Sequence, residues 1–319
     1  MNIAIQGSAP ITGNDAVLPF QLEALGVRGR AARLGPVLDA ILSRHAYPVP
    51  VAALLAEALV LGAALASSLK YDGIFTLQLR GDGPVRLLVV DLTSDGALRG
   101  YVQADAGRLA AALVGVTPDP VSGLPVNPVP RLLGAGHMAF TVDQGTRTER
   151  YQGVVALDGA TLADCAHHYF RQSEQLAAGL KLAVARDGER WRAAALMLQA
   201  LPSAQLVAEL DAEEREDRWR KAVVLLGSAT AGEMLDPGLP VEGLLLRLFH
   251  EDGVRAFERR ALRDQCRCSR ARIDRVLRTI RRSELDELRD AGGRVVVTCE
   301  FCSTMYRYAD ADLDALETA

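Results

Sequence analysis

Four of the five cysteines of this chain lie in two tight pairs near the C-terminus. Cys266 and Cys268 form a C-x-C pair, Cys299 and Cys302 form a C-x-x-C pair, and thirty residues separate the two. Four thiolates that converge on one point can hold Zn²⁺, which takes soft ligands in a tetrahedral arrangement. The same thiols can instead form disulfides. The pairs therefore constrain the C-terminal region to a metal centre or a disulfide-bonded segment.

Composition favours the metal centre. The chain has 319 residues, 49% hydrophobic and 24% charged, as in a soluble globular protein with more than one domain. A formal net charge of −4 gives no overall attraction to nucleic acid or anionic membrane. The first ten residues show no basic region followed by an apolar core, so we expect no secretory signal. We therefore expect a reducing cytoplasmic location, where clustered thiols stay free or metal-bound.

One apolar stretch is long enough to cross a membrane. Residues 51–69 are nineteen mostly apolar residues, but they include Glu57 and are dominated by alanine, which drives insertion weakly. We therefore predict a buried helix and no membrane partner.

Hydrophobic periodicity predicts an α+β fold in three parts. Residues 1–202 form an N-terminal core domain of mixed sheet and helix, 203–250 a helical linker, and 251–319 a small zinc-binding domain. Helical spacing occurs over 34–44, 51–69 and 162–177. Strand patterns separated by turn residues occur over 74–79, 85–91, 98–103, 137–142, 151–157, 181–185 and 191–199.

The predicted linker has an unusual balance of charge and apolar residues. It contains nine acidic and five basic residues, and a charged run at 211–217 precedes apolar residues at helical spacing. Short amphipathic helices are marginal alone, so they must lay their apolar stripe on a partner surface. Composition alone favours an ordinary helical connector.

The C-terminal region predicts a local fold around the cysteines. Residues 294–298 and 304–308 form a hairpin whose turn holds Cys299 and Cys302, as is typical of a zinc knuckle. In an extended segment, residues i and i+2 point to the same side, so Cys266 and Cys268 can reach one ion. Ser283, with an acidic residue at 286, predicts a capping box that opens a helix over 284–289.

Two other functions use the same cysteines. The segment between the pairs is rich in arginine, which suggests a zinc-ribbon protein that binds RNA or the ribosome. Residues 251–319 nevertheless carry fourteen basic and fourteen acidic residues, a neutral balance that argues against a dedicated nucleic-acid binder. A thiol oxidoreductase is the third candidate. Cys299 follows a predicted strand rather than opening a helix, so no helix N-terminus lowers its pKa.

The remaining motifs carry little chemistry. Cys165 beside His167 and His168 predicts a packed cysteine and surface histidines rather than a metal site. Ser67 and Lys70 match S-x-x-K, but the motifs that accompany a Ser/Lys acylation site are absent. Because no nucleotide loop, catalytic triad or metalloprotease motif occurs either, we predict that the chain is not an enzyme.

Several motifs occur together along nearly the whole chain. They are RAARLGPVLDAI at 30–41, SLKYDG at 68–73, LQLRGDGP at 77–84, LRGY at 98–101, YQG at 151–153, YFRQSEQ at 169–175, CRCSR at 266–270, GG at 292–293, VVVTCEFC at 295–302, and Tyr306. In combination they resemble the bacterial redox-regulated heat-shock holdases, the thirty-three-kilodalton chaperonin (heat shock protein 33) family. Two departures are Ala271, where the family usually carries an acidic residue, and Ala177 with Ala178, where Pro-Thr is common.

The resemblance implies a redox-regulated, ATP-independent chaperone of the stress response. In the reduced form, Cys266, Cys268, Cys299 and Cys302 hold one Zn²⁺. Oxidation is expected to pair Cys266 with Cys268 and Cys299 with Cys302, and to release the zinc. The linker over 203–250 then detaches, and apolar surface becomes available to unfolded client proteins. The family also implies that the oxidised form is a homodimer.

Overall fold

The computed structural model describes residues 4–5, 15–145, 150–174, 177–201 and 211–317. Its contacts divide the chain into two compact units, Met1–Asp264 and Gln265–Ala319. The predicted α+β class is confirmed. The division into 1–202, 203–250 and 251–319 stays a prediction, and its first boundary lies outside the described residues.

The elements alternate between strands and helices along the chain. The strands are β1 (Ala4–Ile5), β2 (Ala16–Leu22), β3 (Val27–Leu34), β4 (Ile74–Gly81), β5 (Val85–Thr93), β6 (Ala97–Ala104), β7 (Gly136–Asp143), β8 (Tyr151–Ala156), β9 (Ala178–Asp187), β10 (Arg190–Ala200), β11 (Val254–Ala256), β12 (Arg260–Ala261), β13 (Arg263–Asp264), β14 (Val295–Thr298) and β15 (Met305–Tyr308). The helices are α1 (Pro36–Leu42), α2 (Val49–Ser68), α3 (Ala106–Ala112), α4 (Leu162–Tyr169), α5 (Ala212–Ser228), α6 (Ala231–Leu235), α7 (Val241–Phe249), α8 (Arg270–Leu277), α9 (Arg282–Asp286) and α10 (Asp310–Glu317).

Two sheets form the framework of the first unit. Within the described residues, one sheet has seven strands in the order β1-β11-β2-β3-β10-β9, with β12 also paired to β2. The other has six strands in the order β13-β6-β5-β4-β7-β8. Most neighbouring strands are antiparallel, whereas β13 runs parallel to β6 and β1 runs parallel to β11.

Helix α2 packs between the two sheets and fills the main core. It is apolar and long enough to cross a membrane, but 94% of its most hydropathic window is buried inside the protein. A helix that is apolar on every side needs cover on every side, and the two sheets supply it. The prediction of a buried core helix over 51–69 is confirmed.

Helices α5, α6 and α7 cover the opposite face of the seven-stranded sheet. A second apolar cluster joins them to strands β2, β3 and β10. Side-chain caps begin the first two of these helices, because Asp211 accepts a hydrogen bond from the Glu214 N–H and Thr230 accepts one from the Glu233 N–H. The amphipathic linker helices predicted from the sequence therefore lie on a sheet, as their apolar stripe requires.

Most predicted elements of the first unit are confirmed, but several observed elements were missed, among them α3 and β11 to β13, and one predicted helix is wrong in length. Strands β2 and β3 were not predicted, because β2 contains a proline and β3 contains three arginines and a glycine, which obscure the alternating pattern. The predicted helix over 162–177 is too long, since α4 ends at Tyr169 and a π-helical turn follows at Phe170–Glu174.

The second unit contains the β14–β15 hairpin and three short helices around a small core. The buried apolar residues there are Leu277, Leu285, Val295, Tyr308 and Leu313. The predicted capping box at Ser283 is wrong. Helix α9 begins earlier, with Arg281 at the N-cap position, and the Asp286 carboxylate accepts hydrogen bonds from Arg289 instead of a backbone N–H.

Candidate functional site: a four-cysteine cluster

The second unit brings the four predicted cysteines to one point. Their sulfur atoms all lie within 4.8 Å of one another. The Sγ atoms of Cys266 and Cys299 are 3.7 Å apart, and those of Cys268 and Cys302 are 3.4 Å apart. Four sulfurs at about 2.3 Å from a tetrahedral zinc ion would be about 3.8 Å apart. The cluster therefore has the donor set and spacing that a tetrahedral metal ion requires.

The hairpin turn positions Cys299 and Cys302. Strand β14 ends at Thr298, and the Cys299 N–H donates to the Thr304 carbonyl across the turn at 2.9 Å. The Ser303 N–H donates to the Cys299 carbonyl at 2.8 Å, and Ser303 takes a left-handed φ of 57°. This tight turn, which the sequence predicted as a knuckle, holds both sulfurs on one side.

An extended segment positions the other pair. Cys266 and Cys268 precede α8, whose first turn is capped by Ser269, because its hydroxyl accepts a hydrogen bond from the Arg272 N–H at 3.3 Å. The cap fixes where the extended segment stops. The two cysteines therefore remain in the extended geometry that directs alternate side chains to the same side.

Two hydroxyl groups contact the sulfurs. The Tyr306 hydroxyl donates to the Cys268 Sγ at 3.1 Å, and the Thr304 Oγ1 lies 3.2 Å from the Cys302 Sγ. Burial raises the pKa of Cys302, but hydrogen bonds with Thr304, Cys268 and Cys266 together outweigh it and lower that pKa to about 6. Burial raises the pKa of Cys299 to about 12. The thiols of the cluster thus differ in acidity.

Aromatic and charged side chains support the cluster from the surrounding fold. The Tyr308 hydroxyl donates to the Asp274 carboxylate at 2.7 Å, which joins the hairpin to α8. The Arg270 guanidinium lies 4.3 Å from the Tyr308 ring centroid and pairs with Asp312. These contacts connect α8, the hairpin and α10 around the sulfurs.

Several arginines between the cysteine pairs are already engaged by carboxylates. Arg281 pairs with Glu284, and Arg282 contacts Asp286, Asp310 and Asp314. The Arg281 side chain nevertheless remains 86% exposed. These ion pairs therefore leave the zinc-ribbon alternative open.

The other cysteine lies apart from the cluster. Cys165 is buried in the main core, and burial raises its thiol pKa to about 12. The His167 Nε2 accepts a hydrogen bond from the Leu180 N–H at 3.3 Å, while His168 faces Asp158. Within the described residues, these side chains form no metal-ligating group.

One functional candidate was missed by the sequence. The Arg33 guanidinium is buried under the linker helices and donates to three of their backbone carbonyls, those of Glu233, Asp236 and Leu239, at 2.6–3.0 Å. An arginine within an alanine-rich strand resembles a surface residue in sequence. Only its contacts show that it attaches the linker to the sheet.

The two departures from the family pattern lie away from the sulfurs in the sequence. Ala271 is exposed in the first turn of α8. Ala177 is exposed and Ala178 half-buried at the start of β9. Nothing in the structure explains these substitutions further.

A helix-covered sheet unit followed by a small four-cysteine unit defines a protein with a candidate C-terminal metal centre. Comparisons with known proteins assign the class. The sequence profile described as "Hsp33 protein" matches residues 15–309. A 33 kDa chaperonin of Caulobacter vibrioides is 42% identical over 306 residues, which cover 94% of this chain and 97% of the relative. A 33 kDa chaperonin of Pseudomonas fluorescens is 37% identical, over 93% of this chain and 91% of the relative.

A solved structure gives the same fold. The 33 kDa chaperonin (heat shock protein 33 homolog) of Thermotoga maritima matches with a TM-score of 0.77 and 22% identity, over 95% of this chain and 98% of that one. The chain belongs to the Hsp33 family. It is therefore a chaperone of a heat-shock family and not an enzyme, as the resemblance implied. Membership of a chaperone family also carries the binding of unfolded client proteins.

Proposed function

We propose that this protein is a redox-regulated, ATP-independent holdase whose zinc-bound form is inactive. The observation that carries the proposal is the cluster of four sulfurs, which lie as close together as ligands of one ion. Oxidants react with thiolates, so a zinc–thiolate centre is sensitive to peroxide without further machinery.

Zinc supplies much of the folding free energy of the second unit in this proposal. That unit spans residues 265–319 and its described part buries a core of five apolar side chains. Small units of this kind depend on a metal or disulfides, because their apolar burial barely offsets the loss of chain entropy. Metal binding and folding are then a single equilibrium.

Oxidation removes the ligands in pairs. A peroxide molecule accepts two electrons from one thiolate to give a sulfenic acid and water or hydroxide. A second thiol displaces the sulfenic oxygen as water and forms the disulfide. Two disulfides therefore consume two peroxide molecules and release the zinc ion.

We propose the pairs Cys266–Cys268 and Cys299–Cys302. The structure also places Cys266 near Cys299 and Cys268 near Cys302, so all four sulfurs start within reach. The local pairs close loops of only a few residues, so they stay in proximity once the metal-held fold loosens. The crossed pairs must bridge more than thirty residues in a loosened chain.

The linker is the segment that responds. On α5, Ala222 and Leu226 are buried, whereas the Val224 side chain is 66% exposed. A helix held by so little apolar area opens with a small change in free energy. We propose that loss of the zinc-bound fold releases this helix and then the rest of the linker.

Release would expose an apolar sheet surface to clients. The side chains of the seven-stranded sheet that share an apolar cluster with the linker are Leu18, Phe20, Leu22, Val27, Ala31, Ala183, Ala194, Leu196, Leu198, Val254 and Ala256. A contiguous apolar surface of this kind binds unfolded chains without nucleotide. We further propose that the oxidised form dimerises and that the protein acts in the cytoplasm.

The test follows zinc and client protection together. Zinc-loaded, reduced protein is treated with peroxide at raised temperature, zinc release is followed with a chromogenic chelator, and aggregation of a denatured client is followed by light scattering. We expect both signals to rise together and to reverse with dithiothreitol and zinc. Oxidised protein that protects the client no better than reduced protein would contradict the proposal.

Single cysteine variants separate the cluster from general thiol oxidation. Cys266→Ser should lower zinc affinity and make the linker sensitive to protease without oxidant. Cys165→Ser is the matched control, because Cys165 is buried in the first unit, and it should retain zinc, the proteolysis pattern and peroxide activation. A Cys266→Ser protein with full zinc occupancy and an unchanged proteolysis pattern would show that the stability of the linker does not depend on the metal site.

A further inference from the structure

A surface cavity in the first unit has five cationic side chains in its lining. Its volume is about 790 Å³, and it lies where the seven-stranded sheet extends past the C-terminal end of α2. The charged side chains in its lining are Arg28, Arg30, Lys70, Asp95, Arg260 and Arg263. Five positive charges thus share the cavity with a single carboxylate.

The one carboxylate in the lining, that of Asp95, already has a cationic partner. Asp95 pairs with Arg263 at one edge of the cavity, and hydrogen bonds from Thr93 and Arg263 hold the pKa of Asp95 below its usual range. In the part of the chain that the structure describes, no carboxylate lies within ion-pair distance of Arg28, Arg30, Lys70 or Arg260. Among the described residues, these four cations of the cavity therefore have no acidic partner.

The fold explains only part of this arrangement. The Arg30 Nε donates to the Ser67 carbonyl at 3.0 Å, so Arg30 neutralises the negative end of α2. The Arg28 Nε donates to the Gln199 side chain at 2.9 Å. Neither contact brings a negatively charged group that would offset the positive charges of the neighbouring cations. Burial, with the charges of Arg28 and Arg260, lowers the pKa of Arg30 to about 10, which reflects the cost of the cluster.

Polar groups line the cavity between the cations. Ser68 and Ser94 are in the lining, but their hydroxyl groups already donate to the Leu65 carbonyl and the Asp72 carboxylate. Val17, Leu69 and Leu92 add apolar side chains to the lining. The Ser67 hydroxyl is buried and donates to the Ala64 carbonyl at 2.8 Å. It is therefore not an acylation nucleophile, and Lys70 beside it contributes a charge to the cavity.

From this arrangement we infer that the cavity binds a multivalent, phosphate-bearing anion. Guanidinium groups match phosphate oxygens with paired hydrogen bonds, and the Lys70 ammonium adds a further positive charge. The volume leaves room for more than one phosphoryl group, and five cationic side chains favour an anion with several charges. The site lies wholly within the first unit and uses none of the cysteines, so it does not depend on the proposed redox function.

Calorimetric titration of the full-length, reduced, zinc-loaded protein with inorganic pyrophosphate tests the site. We expect one pyrophosphate per chain at 50 mM salt and weaker binding as salt increases. The double variant Lys70→Gln with Arg260→Gln should weaken binding at least about tenfold, since each change removes a charge-assisted contact. Both side chains are exposed, so zinc content and circular dichroism should be unchanged.

An arginine outside the cavity provides the control. Arg190 is exposed at the start of β10, and Arg190→Gln removes a positive charge without touching the cavity. It should change pyrophosphate affinity less than about twofold. The absence of saturable binding at 50 mM salt, or equal weakening by Arg190→Gln and by the double variant, would overturn the inference.

Titration with adenosine diphosphate identifies the source of the phosphoryl groups. Tighter binding than pyrophosphate would show a nucleotide ligand, and weaker binding an inorganic one. Both results support the site provided that the double variant weakens them, whereas binding insensitive to the double variant would contradict it.

Discussion

The two faces of the seven-stranded sheet are covered in very different ways. Strand β3 contributes to both, because Ala32 and Leu34 face the core under α2 while Ala31 and Arg33 face the linker helices. On the first face, almost every side chain of α2 is buried. On the second, α5 buries Ala222 and Leu226 and leaves the rest of its surface exposed or half-exposed. Helix α7 is better buried than α5, with Leu244, Leu245 and Leu248 in the apolar cluster. In the proposed function, α2 is thus the permanent cover of the sheet, and the linker, through α5, is the weakly held one.

The difference shows how a chaperone can be stable and still expose apolar surface. Fully burying a leucine contributes roughly 1.5–3 kcal/mol, so removing α2 would unfold the unit, whereas α5 opens at much smaller cost. The linker compensates with polar contacts, such as the ion pair of Glu242 with Arg259 and that of Asp252 with Lys221. Both pairs are at least partly buried, since the Asp252 side chain is 4% exposed and the side chains of the other pair are about one-fifth exposed, so salt screens them less than it screens surface pairs.

The largest expected effect comes from a substitution that creates a cavity beside α2, the permanent cover. Leu61→Ala, in the middle of α2, should lower the free energy of unfolding by about 2–5 kcal/mol, because Leu61 is fully buried. Leu226→Ala, on α5, should mainly increase local proteolysis of the linker. Urea denaturation and limited proteolysis of the reduced proteins measure the two effects. Equal global destabilisation by both variants would remove the contrast between the faces.

The permanent cover, α2, contains one buried carboxyl group that lowers stability at neutral pH. Glu57 lies inside α2 with one carboxylate oxygen lacking a partner among the described residues, and burial raises its pKa from 4.5 to about 7. A raised folded-state pKa means that the stability present below pH 4.5 is lost as the pH rises towards 7. Glu57→Gln should therefore stabilise the protein at pH 8 by on the order of 3 kcal/mol and hardly at all near pH 4.5.

Thermal denaturation at several pH values measures this effect. The neighbouring Asp164 is exposed on α4 and also raises the pKa of Glu57, so Asp164→Asn is a useful control that should produce a smaller shift. A gain from Glu57→Gln that is the same at both ends of the pH range would contradict a titrating core carboxyl group.

Arg33 tests the polar attachment of the weak cover. Arg33→Met keeps the length of the side chain but leaves three linker carbonyls without their donor. We expect a loss of about 1–3 kcal/mol, concentrated in the linker, and client protection without oxidant. Arg33→Lys keeps the charge and loses the forked geometry of the guanidinium group. Its linker stability should therefore lie between that of the unmodified protein and that of Arg33→Met. Unchanged hydrogen exchange over 231–249 in Arg33→Met would show that the guanidinium does not hold the linker.

The smallest change is a single hydroxyl group at the sulfur cluster. Tyr306→Phe removes the hydrogen bond to the Cys268 sulfur and should lower zinc affinity by roughly tenfold, as losses of outer hydrogen bonds to metal ligands do. Competition with a chelator measures the affinity. Tyr101→Phe, in strand β6 of the first unit, is the matched control. Equal zinc affinity of Tyr306→Phe and the unmodified protein would assign Tyr306 to packing alone.

The sequence predicts the cysteine cluster well because four residues of one type at short spacings have few alternative uses. It also predicts the strands from β4 to β8, where apolar alternation and turn residues coincide. It fails at β2 and β3, whose arginines and proline hide the alternation. Arg33 and Tyr306 could not be assigned roles, since a polar residue gains its role from long-range contacts that local patterns do not contain.

Hydrogen exchange measured by mass spectrometry on the reduced zinc-loaded and oxidised zinc-free proteins tests the central claim most directly. We predict that peptides from 212–249 lose protection on oxidation, while peptides from 49–68 keep theirs. Protection of the sheet strands β2 and β3 should decrease only where the linker covers them. Unchanged protection over 212–249, or equal loss over 49–68, would contradict a weakly held cover that zinc loss releases.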